Sequence, residues 1–338
     1  MRHIRIGCHG INGHQILGVA STLKHAVLTA MSGVTEAACE GLKKQHPHLA
    51  ETLRWYPDLG AMLSDAHIGM VSICSPRRDE QPDDVIQSLE ADKHVYAEKP
   101  LALSPEDLDR IREAVKRSGK ELRAMTGASY VPAFAAMKEI VEGGEVGPVV
   151  QVYAQKSYPY HDKRPQDRGV DGGLITQAGI HAVSFIRWVT GLDFVRVSAF
   201  DTMAGNPREG RLQMAAGMSF ALNNGGVGVA NFNYLNPTSF GWWGDDRLRV
   251  YGTKGMVESF EGGTRVRVTT NEREPREVPV AEEEPGAHPQ AFIDLLADGT
   301  PMRVGVEDGF VETEVVITAQ RSADQGGEPL VLSRRGSL

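Results

Sequence analysis

Several features are scarce in this 338-residue chain, and each scarcity excludes something. There are only three cysteines, Cys8, Cys39 and Cys74, odd in number and far apart, so they form neither a disulfide framework nor a zinc pattern. Cys8 and Cys74 end apolar runs and read as small buried residues, which suits a reducing cytoplasm. No apolar run approaches the roughly 18 residues of a membrane span. Positive charge is in deficit: 36 Lys and Arg against 44 Asp and Glu give a net charge of −8. That balance argues against a nucleic-acid surface and against attraction to anionic membranes. The opening Met1-Arg2-His3-Ile4-Arg5-Ile6-Gly7 runs directly into a strand pattern without a signal-peptide core. His46-Pro47-His48 lacks further ligands at useful spacing, so no metal site is expected. There are no repeats and no low-complexity linker, and Glu282-Glu283-Glu284-Pro285-Gly286 reads as a solvated loop. What is present, 41% hydrophobic and 24% charged residues, is ordinary for a globular protein long enough for two cores.

The first 126 residues alternate strand and helix. His3–Cys8 reads as a strand, the stretch after Gly13 as a helix to about Leu23, and His25–Met31 as a second strand. Gly69–Cys74 is a third apolar run, Pro82–Ala91 a helix, and a strand then runs into Lys99. Pro105–Ser118 and Glu121–Met125 follow as helix and strand. Such βα alternation predicts a parallel sheet with right-handed crossovers, an α/β fold. From about residue 149 the rhythm becomes period two, at Val149–Ala154, Phe194–Phe200, Leu212–Leu222, Gly226–Tyr234, Arg247–Tyr251 and Thr264–Thr270. This predicts a mostly antiparallel sheet, with helices at Gly173–Thr190, about Pro289–Ala297 and Glu307–Ala323. Two domains are expected, residues 1–126 and 127–338.

Gly10-Ile11-Asn12-Gly13-His14-Gln15 lies where a strand turns into a helix, the position of a pyrophosphate cradle. Only the first glycine of G-x-G-x-x-G is kept, with Asn12 and Gln15 in the other places. The acid that would hold an adenosine ribose is also absent: Gly33 follows Ser32 where Asp is expected, and no arginine adjoins it to receive a 2′-phosphate. On these residues alone, both a dinucleotide site and a doubly wound domain that binds none remain open. Lys43 and Lys44 read as solvated helix charges.

Ala97-Glu98-Lys99-Pro100-Leu101 puts a lysine at the carboxyl edge of a parallel strand, where ligands of open α/β sheets bind. Ser104, Pro105 and Asp107 then supply an N-cap, a first-turn proline and a capping-box acid for the next helix. Lys99 is therefore a candidate catalytic group.

Glu98-Lys99-Pro100, together with Asp171-Gly172-Gly173-Leu174-Ile175-Thr176-Gln177-Ala178-Gly179-Ile180-His181, resembles the Gfo/Idh/MocA oxidoreductases. Gly69–Pro76, Arg249–Gly255 and Phe292–Leu296 extend the resemblance over nearly the whole chain. It implies an N-terminal Rossmann domain, a C-terminal α/β domain with a large open sheet, and NAD or NADP as cofactor. It also implies hydride transfer to or from a sugar, sugar acid or polyol, and a homodimer or homotetramer formed through the C-terminal sheet. The family's lysine maps onto Lys99, with a cis bond to Pro100, and its active-site histidine onto His181. Gln177 stands where the family has aspartate, one helical turn before His181; it can orient a hydroxyl but cannot take its proton. His181 is then the acid/base and Lys99 the group that stabilises alkoxide character.

Cofactor contacts are then expected from the glycine turn (Gly10, Ile11, Asn12, Gly13), the end of the second strand (Ser32, Gly33), the loop after the third apolar run (Ser75, Pro76, Arg77) and the Glu98-Lys99 edge. Lys156 resembles the family's substrate-side lysine, and Tyr158, Arg164 and Arg168 lie in the basic loop that follows it. A carboxylated or phosphorylated substrate would suit Lys156, Arg164 and Arg168. Phe240, Trp242 and Trp243 read either as a platform on which a sugar face stacks or, as is commoner in a strand-connecting loop, as packing or interface residues. Two other outcomes fit the same scaffold: an NAD-assisted hydrolysis, elimination or epimerisation of a sugar or glycoside, or a non-catalytic sugar sensor.

Overall fold

The computed structural model describes residues 3–332. Met1 and Arg2, part of the strand-from-the-start reading, lie outside the described residues, as do the last six of the expected second domain. The first sheet has six parallel strands: β1 (Ile4–His9), β2 (Ala26–Ser32), β3 (Arg54–Trp55), β4 (Ile68–Ile73), β5 (His94–Ala97) and β6 (Leu122–Ala124), in the order β3-β2-β1-β4-β5-β6. Helices α1 (Glu36–Gln45), α2 (Leu59–Leu63), α3 (Gln81–Glu90) and α4 (Pro105–Ser118) connect them. Two-sided cover is why these strands read as continuous apolar runs: Ile6, Met70, Val71, Ile73 and Val95 are all fully buried. This is the doubly wound Rossmann order. Ser104 Oγ accepts from the Asp107 amide and starts α4, and Gly119 ends it in the left-handed conformation.

One expectation fails here. No α-helix runs from Gly13 to Leu23; a four-residue 3₁₀ turn, Ile16–Val19, stands in its place. The His14 amide, which would enter a first helical turn, donates to the Glu98 carboxylate instead. Gly18 breaks the stretch, and only Ile16 and Leu17 offer buried apolar surface.

The remainder contains α5 (Pro132–Glu142), β7 (Val149–Ser157), α6 (Arg168–Asp171), α7 (Leu174–Thr190), β8 (Phe194–Thr202), β9 (Ala215–Leu222) and β10 (Val227–Asn233). There follow β11 (Arg247–Gly252), β12 (Gly255–Phe260), β13 (Arg265–Thr270), β14 (Arg276–Val278), α8 (Ala287–Asp298), α9 (Val306–Asp324) and β15 (Leu330–Val331). The strands build one nine-stranded sheet, β14-β13-β12-β11-β7-β10-β9-β8-β15, in which only the β7–β10 pair is parallel. Its inner face carries Val152, Ala154, Ala230, Phe232, Leu248 and Val250, all packed in one core with α5 and α7. The last two helices return to the first sheet. Phe292 and Ile293 of α8 pack in one core with Ile6, Leu28 and Tyr96, and Phe310 and Ile317 of α9 pack with Leu101, Leu108 and Leu122. The three cysteines are free and buried. Among the described residues no helix is long and apolar enough to cross a membrane.

Candidate active site

Strand β5 delivers Glu98 and Lys99 to the carboxyl edge of the parallel sheet. The Glu98 amide donates to the Ile73 carbonyl, the Lys99–Pro100 bond is cis, and the Gln81 amide nitrogen donates to the carbonyls of Glu98 (2.6 Å) and Pro100 (3.0 Å). Lys99 has 0% exposure; its Nζ donates to the Gln177 carbonyl at 2.7 Å and stands 3.6 Å from Glu98 Oε1. Burial, opposed by the Glu98 charge and aided by Arg78 and Lys156, brings its pKa down to about 8. Burial alone would push Glu98 up. The charges of His14 and Lys99, the His14 hydrogen bond and Arg78 outweigh it and hold that carboxyl at about 2.

Helix α7 carries the partner groups. Gly172 and Gly173 precede it with φ of 97° and 80°, and a Cβ on Gly172 would lie 2.4 Å from Thr176 Oγ1. Gln177 and His181 stand four residues apart on one face of α7; the Gln177 backbone carbonyl receives Lys99, and the His181 ring lies within reach of its charge. Gln177 Oε1 accepts from the Tyr234 hydroxyl at 3.5 Å. His181 Nε2 is closed off from solvent and has no hydrogen-bond partner among the described residues. Burial first, then the Lys99 and Lys156 ammoniums and His14, push the His181 pKa well below its ordinary value. The imidazole is therefore neutral at neutral pH, and its Nε2 is left without a partner. The His14 ring meets it edge-on at 5.6 Å between centroids, while His14 Nδ1 lies 3.0 Å from Glu98 Oε1.

The expected substrate-side cations do not form one open basic cluster. Lys156, at the end of β7, is ion-paired with Asp246, whose Oδ1 is buried and unpaired, and Arg168 is paired with Asp324 at 2.9 Å. Arg164 is different: it is buried, its guanidinium sits 3.5 Å over the Tyr234 ring, and it donates to the Pro159 carbonyl. Among the described residues it has no ion-pair partner. Tyr158 is buried beside it, and Trp243 stacks on His161 at 5.8 Å.

On the cofactor side, Gly10 and Gly13 have φ of 74° and 112°, and a Cβ on Gly10 would lie 2.1 Å from the Cys74 carbonyl. Asn12 fills the second glycine position as a clamp: its side-chain nitrogen donates to the carbonyls of Val170 (2.6 Å) and Pro76 (3.2 Å). Ile11, on the exposed outer side of this turn, and Gly13 keep their N–H groups without partners among the described residues. Ser32 bonds His9, Ser75 bonds Asp84, and Arg77 is held by Asp79 and Asp167 at the surface. The glycine crowding, the two open N–H groups and the unpartnered His181 nitrogen above the buried lysine fit a nicotinamide dinucleotide.

Six residues of this constellation were not among the sequence candidates: His14, Arg78, Gln81, Asp171, Tyr234 and Asp246. His14 reads from sequence as the start of a helix, and only the collapse of that helix turns it onto Glu98. Asp171 stands inside the motif that ends at His181. Its pKa is raised by burial against a backbone hydrogen bond and the charges of Lys99, Arg78 and Arg164. Nothing in the chain's pattern marks the others.

A doubly wound domain with an anion-binding turn, joined to a sheet domain that brings a histidine to its lysine, defines an NAD-binding oxidoreductase. The oxidoreductase family with an NAD-binding Rossmann fold matches residues 6–126, and the GFO/IDH/MocA C-terminal domain matches residues 134–258. The chain belongs to the Gfo/Idh/MocA family. A Thermotoga maritima structure provisionally described as an oxidoreductase is 30% identical, with a TM-score of 0.86, over 97% of this chain and all of that one. The myo-inositol 2-dehydrogenase of Thermotoga maritima is 26% identical over 237 residues, 69% of this chain and 67% of its own. A levoglucosan dehydrogenase solved with NADH and L-sorbose shares the fold, at 16% identity and a TM-score of 0.83, over 99% of this chain and all of its own.

Proposed function

We propose that the protein is a cytoplasmic dehydrogenase that oxidises a secondary alcohol of a polyol, sugar or sugar acid. The observation that carries this reading is the meeting of a fully buried lysine, bound to a carbonyl of α7, with an unpartnered neutral imidazole one turn further along that helix. The open N–H groups of Ile11 and Gly13 would hold the pyrophosphate, and Glu98 and Lys99 lie at the nicotinamide end. When bound, the nicotinamide supplies the acceptor for the substrate's hydride. The chain's own residues do the rest. His181 Nε2 accepts the hydroxyl proton, Lys99 stabilises the developing alkoxide as a cation, and Gln177, braced by Tyr234, orients the hydroxyl. His181 must be neutral and Lys99 charged: burial and neighbouring cations lower both pKa values, but Glu98 holds Lys99 at about 8 while no anion offsets the shift at His181. The myo-inositol 2-dehydrogenase relative supports a cyclic polyol. Arg164, a buried guanidinium without a carboxylate, supports a sugar acid.

The three free, buried cysteines suit a reducing compartment. We also place the division between domains at 126/127. The outer face of the nine-stranded sheet, with exposed Val227, Val229 and Phe200 beside the Arg249–Glu258–Arg267 cluster, is the proposed face of a homodimer or homotetramer.

A panel of inositols, sugars and sugar acids with NAD⁺ and NADP⁺, followed by the absorbance of reduced nicotinamide, tests the reading. Net accumulation with a polyol or sugar acid is expected. Product formed without net cofactor reduction would replace it with an NAD-assisted non-redox conversion.

A further inference from the structure

In a sheet of this order the adenosine ribose is met by an acid at the end of the second strand. The position after β2 here is Gly33, and it has no room for one. Its φ is +70°, and a Cβ would lie 2.7 Å from the Gly10 nitrogen and 2.9 Å from His9 Cε1. The His9 ring fills the place of the missing side chain. Its Nδ1 pairs with Ser32 Oγ at 2.9 Å, and its Nε2 lies 3.3 Å from Asp84 Oδ2, on the first turn of α3. Ser75 Oγ donates to the same Oδ2 at 2.6 Å. Three strand ends, β1, β2 and β4, thus converge on one carboxylate. Both of its contacts fall on Oδ2, so Oδ1 has no partner among the described residues, and the side chain keeps 21% exposure.

We propose that Asp84 takes over the role of the missing acid: held by His9 and Ser75, its carboxylate accepts the adenosine ribose hydroxyls of NAD and repels the 2′-phosphate of NADP. The proposal rests on the cofactor reading above. A second negative group at this edge would meet a fixed carboxylate with no spare arginine beside it. Arg77 is committed to Asp79 and Asp167, and Arg78 to Gln81 and the Asn12 carbonyl. The charge at the ribose edge thus arrives from α3 instead of β2, which is why the sequence pattern shows neither an NAD nor an NADP signature.

Equilibrium binding of NADH and NADPH, followed by cofactor fluorescence without substrate, tests it on the wild type and on D84N, with melting curves as a fold control. The wild type is expected to bind NADH at least about tenfold tighter than NADPH. D84N is expected to weaken NADH by about tenfold, the scale of one lost charge-assisted hydrogen bond, and to bring the two cofactors within a few fold. A wild type that binds both equally overturns the assignment whether or not D84N folds, and so does a D84N that keeps the wild-type ratio. A wild type that binds neither cofactor overturns the cofactor reading itself, and the assignment with it.

Discussion

Lys99 is a costly residue to bury, and its surroundings show what holds it. A lone ammonium in an apolar interior would lose its proton, but the charges of Glu98, at 3.6 Å, and Asp171 keep the pKa at about 8, and Nζ has a hydrogen-bond acceptor in the Gln177 carbonyl. With Lys99 required as a cation and His181 as a neutral base, kcat/KM for alcohol oxidation should fall above about pH 8. It should also fall on the acid side only well below the ordinary histidine value. A flat profile through pH 8 would remove the cationic role. Lys99→Met should lower kcat by about 10²–10⁴-fold with the melting temperature little changed, as measured by steady-state kinetics and thermal denaturation. A second buried group gives a stability prediction. Glu312 of α9 has one unpaired oxygen, and burial, against Arg187, Ser184 and Thr126, raises its pKa from 4.5 to about 7. Because the folded value is the higher one, its favourable contribution is complete below about 4.5 and is lost as pH rises towards 7. Glu312→Gln should therefore stabilise the protein at pH 8 by about 1–3 kcal/mol and leave it nearly unchanged at pH 4.5, read by denaturant unfolding at both pH values.

Among the elements, α7 governs the site because it supplies both Gln177 and His181 and seats the Lys99 ammonium on its backbone. It is buried along most of its length and braced by α5, where Phe134 lies 4.2 Å from Phe185 between ring centroids. Phe134→Ala should cost about 3–5 kcal/mol of unfolding free energy. It should also lower kcat through a looser α7, although Phe134 is fully buried in the core. Elements with strong periodicity and clear caps were legible in the chain. The α7 reading, Gly173–Thr190 ended by Gly191, and the α4 reading, Pro105–Ser118 capped by Ser104, match the structure to within a residue. The two-residue strands β3 and β15 carry too little pattern to be seen. The turn pattern implies a helix after Gly13, but a distant residue, Glu98, captures the His14 amide and no helix forms. Lys99 is visible from its place at a strand edge, and Gln177 and His181 through the motif that resembles the family's, but His14 and Asp246 are not visible at all. Their roles come from partners 84 and 90 residues away in sequence.

At the scale of the whole molecule, the two sheets are tied together at the site itself. Asn12, Arg77, Arg78 and Asp79 of the first half all bond residues 167–170 of the second, and Lys99 bonds Gln177. The halves are further locked by α8 and α9, which complete cores under the first sheet. Cofactor binding across that seam should raise the melting temperature of the whole chain as a single cooperative transition. The proposed subunit face makes a separate prediction: Val229→Lys at the centre of the outer sheet should shift the protein to a smaller species in sedimentation without reducing cofactor binding. Unchanged sedimentation would place any assembly elsewhere.

The most direct measurement is the titration of the His181 imidazole by NMR in the wild type and in Lys99→Met. Burial beside the two lysine ammoniums predicts a pKa well below 6.5 in the wild type, and a rise when the Lys99 charge is removed. A His181 that titrates near 6.5 in both proteins would show that lysine and histidine do not share one site, and would contradict the account.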